Sequence, residues 1–280
     1  MSSNPDFCTS LPKIVQCFRM CVMNRILLQF VALFLFALSC TFGLGQEKTG
    51  PRKLRLLPVG DMPPFRQEIR DGVRYELEPE PGSEPPRMIS IPVTKEKTLT
   101  VPLALGTFTE FLPLPATLQT CRLQKAEGDE AELWSQIQLP EQGDCAVILW
   151  RDPKENTWDA VRSLVIPEGP VAFPAGTARL INTLSTKSKW VFANKTIELK
   201  AGGVLVEKLP AETVPVQVSV LDAEQNWRVV FQSAIGQGAD ERSNVILYRA
   251  DGEEVRNPVK VINLREQANP PPAIVAPPNP

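Results

Sequence analysis

Val214, Val216, Val218 and Val220 alternate with Pro215, Gln217 and Ser219. A period of two sends successive side chains to opposite faces of an extended chain, so this segment predicts a strand with one buried face. Trp227, Val229, Phe231, Ser233 and Ile235 repeat the pattern against Arg228, Val230 and Gln232. After residue 45, no segment holds apolar residues at helical spacing over three turns. Further strands are predicted over 53–59, 73–78, 88–93, 99–105, 117–124, 131–139, 146–151, 178–184, 190–200, 204–209, 244–250 and 259–264, between Pro, Gly and Asn/Asp turns. The class is all-β, because only sheets bury such short alternating runs.

The chain also matches itself. An offset of 98 aligns 118–154 with 216–252 without a gap, and eight of the 37 positions are identical, among them Val147-Ile148-Leu149 with Val245-Ile246-Leu247. Leu54-Arg55-Leu56-Leu57 likewise resembles Ala178-Arg179-Leu180-Ile181. The reading is two tandem immunoglobulin-like β-sandwich modules over 53–167 and 170–266, with 46–52 as a linker. Copy one is longer, and a hairpin inserted at about 81–108 accounts for the excess. Pro92 and Pro102 place that hairpin at a sheet edge, since proline cannot donate to a ladder. The end of the chain, 267–280, has six prolines in its last eleven residues and is expected to be disordered or polyproline-like.

The first 45 residues have the layout of a cleaved signal peptide. Asn24-Arg25 precedes an apolar run from Ile26 to Cys40, and Gly43 and Gly45 supply small residues before a cut after Gly45. The start before Met20 or Met23 is a poor leader, and translation from either methionine would shorten it. Two other fates remain: retention as a membrane anchor, and a lipid on Cys40 after Ala37-Leu38-Ser39. Membrane contact is expected only through this segment or that lipid. Export permits disulfides. Of six cysteines only Cys121 and Cys145 follow the signal, and the 98-residue offset sets Ser219 and Ser243 against them. A paired replacement by two small residues suggests neighbours, so a Cys121–Cys145 disulfide is expected.

Composition limits the chemistry. The chain has no histidine, which removes Ser-His-Asp and Cys-His catalysis and His-ligated metals. With 30 basic and 32 acidic side chains it lacks the positive footprint of a nucleic-acid binder. Phosphate-cradling glycine loops and the serine elbow are missing too. Asp61, in a proline-bounded turn, presents a carboxylate or closes an Asx turn. Asp152, Glu155, Asn156 and Asp159, and Asp251, Glu253 and Glu254, cluster at equivalent turns without the spacing that wraps calcium. Glu130 and Glu132 fall on the polar face of a predicted strand. Trp134 shares that face and is the candidate for stacking on a sugar ligand, whereas Trp150 and Trp227 fit a core. Asn194-Lys195-Thr196 is a glycosylation sequon. No catalytic, metal-binding or cofactor-binding residue is assigned, and no cofactor is expected.

Leu56-Leu57-Pro58-Val59-Gly60-Asp61-Met62-Pro63-Pro64-Phe65, Asp71-Gly72-Val73-Arg74-Tyr75-Glu76-Leu77 and Phe173-Pro174-Ala175-Gly176-Thr177-Ala178-Arg179-Leu180-Ile181-Asn182 resemble stretches of uncharacterised exported all-β proteins of Gram-negative bacteria. The resemblance implies a periplasmic, surface or secreted β protein and carries over no functional residue. Two-module pilus chaperones share the layout, but their basic subunit-clamping pattern is absent. The expectation is a non-enzymatic envelope protein that binds another protein or a surface polymer. The runner-up is a carbohydrate-binding module, followed by a histidine-free carboxylate hydrolase.

Overall fold

A computed structural model describes residues 50–126, 132–155, 157–192, 195–209, 213–251 and 257–268. The first 49 residues, with the expected signal peptide and Cys40, the tail from 269, Glu130, Asn156, Asn194 of the sequon, Glu253 and Glu254 lie outside the described residues. The described chain is all-β, with eighteen strands and no helix.

The first set has eight strands and starts with β1 (Arg52–Pro58); β2 (Arg66–Arg70) and β3 (Val73–Leu77) stand apart from it. β4 (Met88–Pro92), β5 (Thr98–Pro102), β7 (Thr120–Lys125) and β8 (Glu132–Gln138) form an outer sheet in the order β5-β4-β7-β8. β6 (Leu112–Leu114), β9 (Cys145–Arg151) and β10 (Val161–Pro167) join β1 in an inner sheet, β10-β9-β1-β6, with β1 parallel to β9. The second set repeats this order strand for strand. β12 (Ser188–Phe192), β13 (Lys195–Leu199), β15 (Thr213–Leu221) and β16 (Trp227–Gly236) give β13-β12-β15-β16. β11 (Thr177–Asn182), β14 (Val204–Lys208), β17 (Glu241–Arg249) and β18 (Val259–Gln267) give β14-β11-β17-β18, with β11 parallel to β17.

In each set the two sheets share one core. Leu54, Leu56, Val147 and Leu149 of the inner sheet meet Ile89, Ile91, Leu123 and Ile137 of the outer sheet. In the second set, Leu180, Val245 and Leu247 meet Trp190, Val216 and Val218. A third core lies between the two inner sheets, where Leu57, Ile148 and Ile166 pack on Ile181, Ile246 and Tyr248. The inner sheets are therefore covered on both faces. That is why β9 and β17 read as continuous apolar runs, while the outer-sheet strand β15 alternates.

Pairing registers test the internal match directly. Val161 opposes Arg151 and Val259 opposes Arg249, so the 98-residue offset holds through the last two strands of each set. Arg55 opposes Ala146 and Arg179 opposes Asn244, which makes the two arginines equivalent. The gapless match fails in the central hairpin. Both copies carry a β-bulge there, with Trp134 as the extra residue between Leu133 and Ser135, and Val230 between Val229 and Phe231. Aligning the bulges puts Val216, not Ser219, opposite Cys121 in the comparison. Ser243 remains the counterpart of Cys145.

Two expectations are corrected. The hairpin at about 81–108 is not an insertion, because β4–β5 corresponds to β12–β13 and pairs with β7 in the outer sheet. The added element lies earlier: β2 (Arg66–Arg70) and β3 (Val73–Leu77) form a separate two-stranded hairpin, followed by a proline-rich loop to residue 87. The expected Cys121–Cys145 disulfide is not formed, and both are free, fully buried thiols in the first core. Burial pushes Cys121 up to about 12, with Cys145 adding to the shift, and pushes Cys145 up to about 11. The thiolate that would attack a disulfide is therefore scarce near neutrality.

Candidate functional site

The two sets meet in two polar clusters beside the third core. In one, Arg55 of β1 and Arg179 of β11, the equivalent residues, point into the interface. Arg55 bonds Glu266 at 2.5 Å and Glu168 at 3.1 Å, and Arg179 bonds Glu168 at 2.7 Å. Glu168 and Glu266 are themselves 98 residues apart. Each copy thus lends its glutamate to the other copy's arginine, as subunits do across a two-fold interface. Arg242 joins Glu266 at 3.1 Å. Phe173 and Phe108 cover the guanidinium groups, with Arg179 3.8 Å and Arg55 3.9 Å from the respective ring centroids. Burial alone would raise the Glu266 carboxyl, but hydrogen bonding to Arg55 and attraction from Arg55, Arg242 and Arg179 hold it below the usual range. Desolvation, reinforced by Arg55 and Arg242, lowers Arg179 despite Glu168.

The second cluster opens onto a cleft. Beyond β1, Gly60 comes so close to the second set that an added Cβ would lie 2.6 Å from Asp251 Oδ2, which explains the glycine. Asp61 N–H donates to Asp251 Oδ2 at 2.9 Å, and Asp251 N–H returns the bond to Asp61 Oδ2 at 3.2 Å. Tyr248 O–H donates to Asp61 Oδ1 and Lys260 Nζ to Asp61 Oδ2, while Arg151 Nε donates to Asp251 Oδ1. Burial is the main force raising the Asp251 carboxyl, and it outweighs the Asp61 N–H and Arg151. The cleft, about 620 Å³, is lined by Asp61, Asp251 and Arg151 on one side and by Glu80, Gly82 and Thr157 on the other.

Asp61 therefore closes no Asx turn. It ties the two sets together, and every oxygen of the Asp61–Asp251 pair already accepts a hydrogen bond from the chain. Asp152 sits at its own turn, held below the usual range by the Lys154 N–H and Arg162. Among the described residues no group of three or more acidic or cysteine side chains gathers to hold a metal.

A smaller pocket of about 370 Å³ adjoins the cleft, between the proline-rich loop and Trp158. Gly82, at φ 75°, accepts the Trp158 N–H at 2.7 Å, which fixes the loop there. Trp134 is corrected as a stacking residue. Its side chain is buried at 6% exposure, and its Nε1–H donates to the Trp158 carbonyl. The bulge at Trp134 shifts the alternation by one residue, so the side chain assigned to the polar face turns inward and Leu133 turns out, 44% exposed. Trp150 packs against the third core, and Trp227 is half-buried under Lys189.

Apolar side chains are exposed on the added hairpin and its lead-in. Met62 is 70%, Phe65 69%, Ile69 62%, Val73 52% and Tyr75 49% exposed. No protein-family model matches the chain, and no curated protein matches it.

Proposed function

We propose that this chain is an exported, non-enzymatic cell-envelope protein, that its two halves are immunoglobulin-like units, and that it binds another protein through the segment that interrupts its internal repeat. The observation that carries this reading is the β2–β3 hairpin. It has no counterpart in the second half, pairs with none of the four-stranded sheets, and exposes apolar side chains on both faces, Val73 and Tyr75 on one and Ile69, opposite Arg74, on the other. Exposed apolar side chains gathered on one projecting element mark an interaction surface. Export rests on the apolar run of residues 26–40 and its small-residue cut site. The non-enzymatic reading rests on the absence of histidine from the chain, which removes the commonest general base. A sugar-binding reading through Trp134 has no support from its buried position.

The test places photo-crosslinking residues at Phe65 and Ile69 of the full chain in its native cell. A discrete crosslinked protein is the expected result, and its crosslink from Phe65 should be lost when residues 66–77 are replaced by a short turn while the melting temperature of the remainder is kept. Absence of any crosslinked protein, or turnover of a polysaccharide that Asp61→Asn abolishes, would overturn it.

A further inference from the structure

The hairpin leaves the outer edges of β2 and β3 without a strand partner among the described residues. The two edges differ. Asp71 and Gly72, at φ 53° and 76°, close a two-residue turn flanked by the pair Arg70 and Val73. In such a turn the flanking residues exchange both backbone hydrogen bonds. Bonding alternates along an antiparallel ladder, so Tyr75 and Leu77 also direct their N–H and C=O groups to β2. Those of Arg74 and Glu76 point outward.

β3 reads Val73-Arg74-Tyr75-Glu76-Leu77. Turned end for end about Tyr75, this strand is its own complement: Arg74 meets Glu76 on both sides, Val73 meets Leu77 on both sides, and Tyr75 meets Tyr75. The backbone groups needed for that register are the outward ones of Arg74 and Glu76, which become the hydrogen-bonded pairs around a close Tyr75–Tyr75 contact. β2 fails the same operation. About Glu68 it sets Glu68 against Glu68 and Arg66 against Arg70, and like charges directly opposed destabilise a strand pair.

We propose that two copies of this chain associate through their β3 edges to form a continuous sheet in the order β2-β3-β3-β2. The proposal rests on reading the hairpin as the binding element and names a second copy as the partner of one of its edges. Val73, Tyr75 and Leu77 of both copies then form one apolar stripe, and Arg74–Glu76 ion pairs lie on the opposite face. A row of like charges would block strand addition. Alternating signs instead select a strand of the same sequence.

Sedimentation of the purified full chain over a range of concentrations tests this. A reversible dimer is expected. Arg74→Glu and Glu76→Arg should each weaken it by about ten- to a hundredfold, because two opposite-charge pairs become like-charge pairs. An equimolar mixture of these two variants should recover a heterodimer, since their edges carry opposite signs. Both residues are exposed, so unchanged melting of the variants confirms that folding is unaffected. A chain that stays monomeric, a dimer that ignores both substitutions, or a mixture that recovers nothing would overturn the proposal. A monomer that still crosslinks another protein through Phe65 or Ile69 would sink only the self-pairing. A dimer whose hairpin crosslinks nothing but its own copy would sink only the heterologous reading.

Discussion

The first and second halves share one pairing order and differ most in a single connection. Between β1 and β4 the first half runs through residues 59–87, with a hairpin, a proline-rich loop and the cleft-lining Asp61. Between β11 and β12 the second half needs only residues 183–187. The inner sheets, buried on both faces, tolerate little variation, whereas an exposed connection can grow without disturbing a core. The comparison separates what holds the molecule together from what it presents.

The holding part is the more sensitive. Glu168, fully buried, contacts Arg55, Arg179 and Arg242, so Glu168→Gln leaves three cations short of countercharge. The expected cost is about 3–5 kcal/mol in denaturant unfolding. Replacing residues 66–77 by a turn should cost far less, and equal losses would break the distinction. Gly60→Ala comes next. Its Cβ would strike Asp251, and disturbing the reciprocal Asp61–Asp251 bonds should cost about 1–3 kcal/mol by the same measurement. Gly50→Ala, with nothing within 4 Å of the added carbon, should be nearly silent.

Acidification sharpens the contrast between the two clusters. The folded-state pKa of Glu266 is depressed. Its stabilisation is therefore complete above the ordinary carboxylate range and disappears as pH falls through the depressed value. Asp251 behaves oppositely. Its folded-state pKa is raised, so its ionisation weakens the fold as pH climbs from the ordinary carboxylate range through the raised value. Melting temperature against pH should fall less steeply on acidification in Glu266→Gln than in the native chain.

The smallest effects come from importing second-half residues into the first core. Cys121→Val installs the type found at Val216 and should change stability by less than about 1.5 kcal/mol. Cys145→Ser installs the type found at Ser243, whose own buried hydroxyl lacks a hydrogen-bond partner, and should cost about 1–3 kcal/mol. Unfolding the unreduced protein should expose two reactive thiols from this core.

Much of the fold was legible because alternation reports half-buried strands directly. Trp190 to Lys200 read as one strand because its apolar spacing crosses the break between β12 and β13. β2 was missed for the opposite reason: Arg66 to Arg70 has only Ile69 as an apolar residue. The Asp71-Gly72 turn was the available signal for that hairpin. For the charge cluster the signals were an arginine inside each matched apolar run and the 98-residue spacing of Glu168 and Glu266.

The sequence by itself determined the all-β class and the internal match, since both follow from residue order along the chain. Only the tertiary structure decided that Trp134 turns inward, that Cys121 and Cys145 stand as free thiols, and that Asp61 answers to Asp251. A bulge reverses the side-chain face without changing composition, and partners as far apart in sequence as Asp61 and Asp251 meet only when the sheets stack.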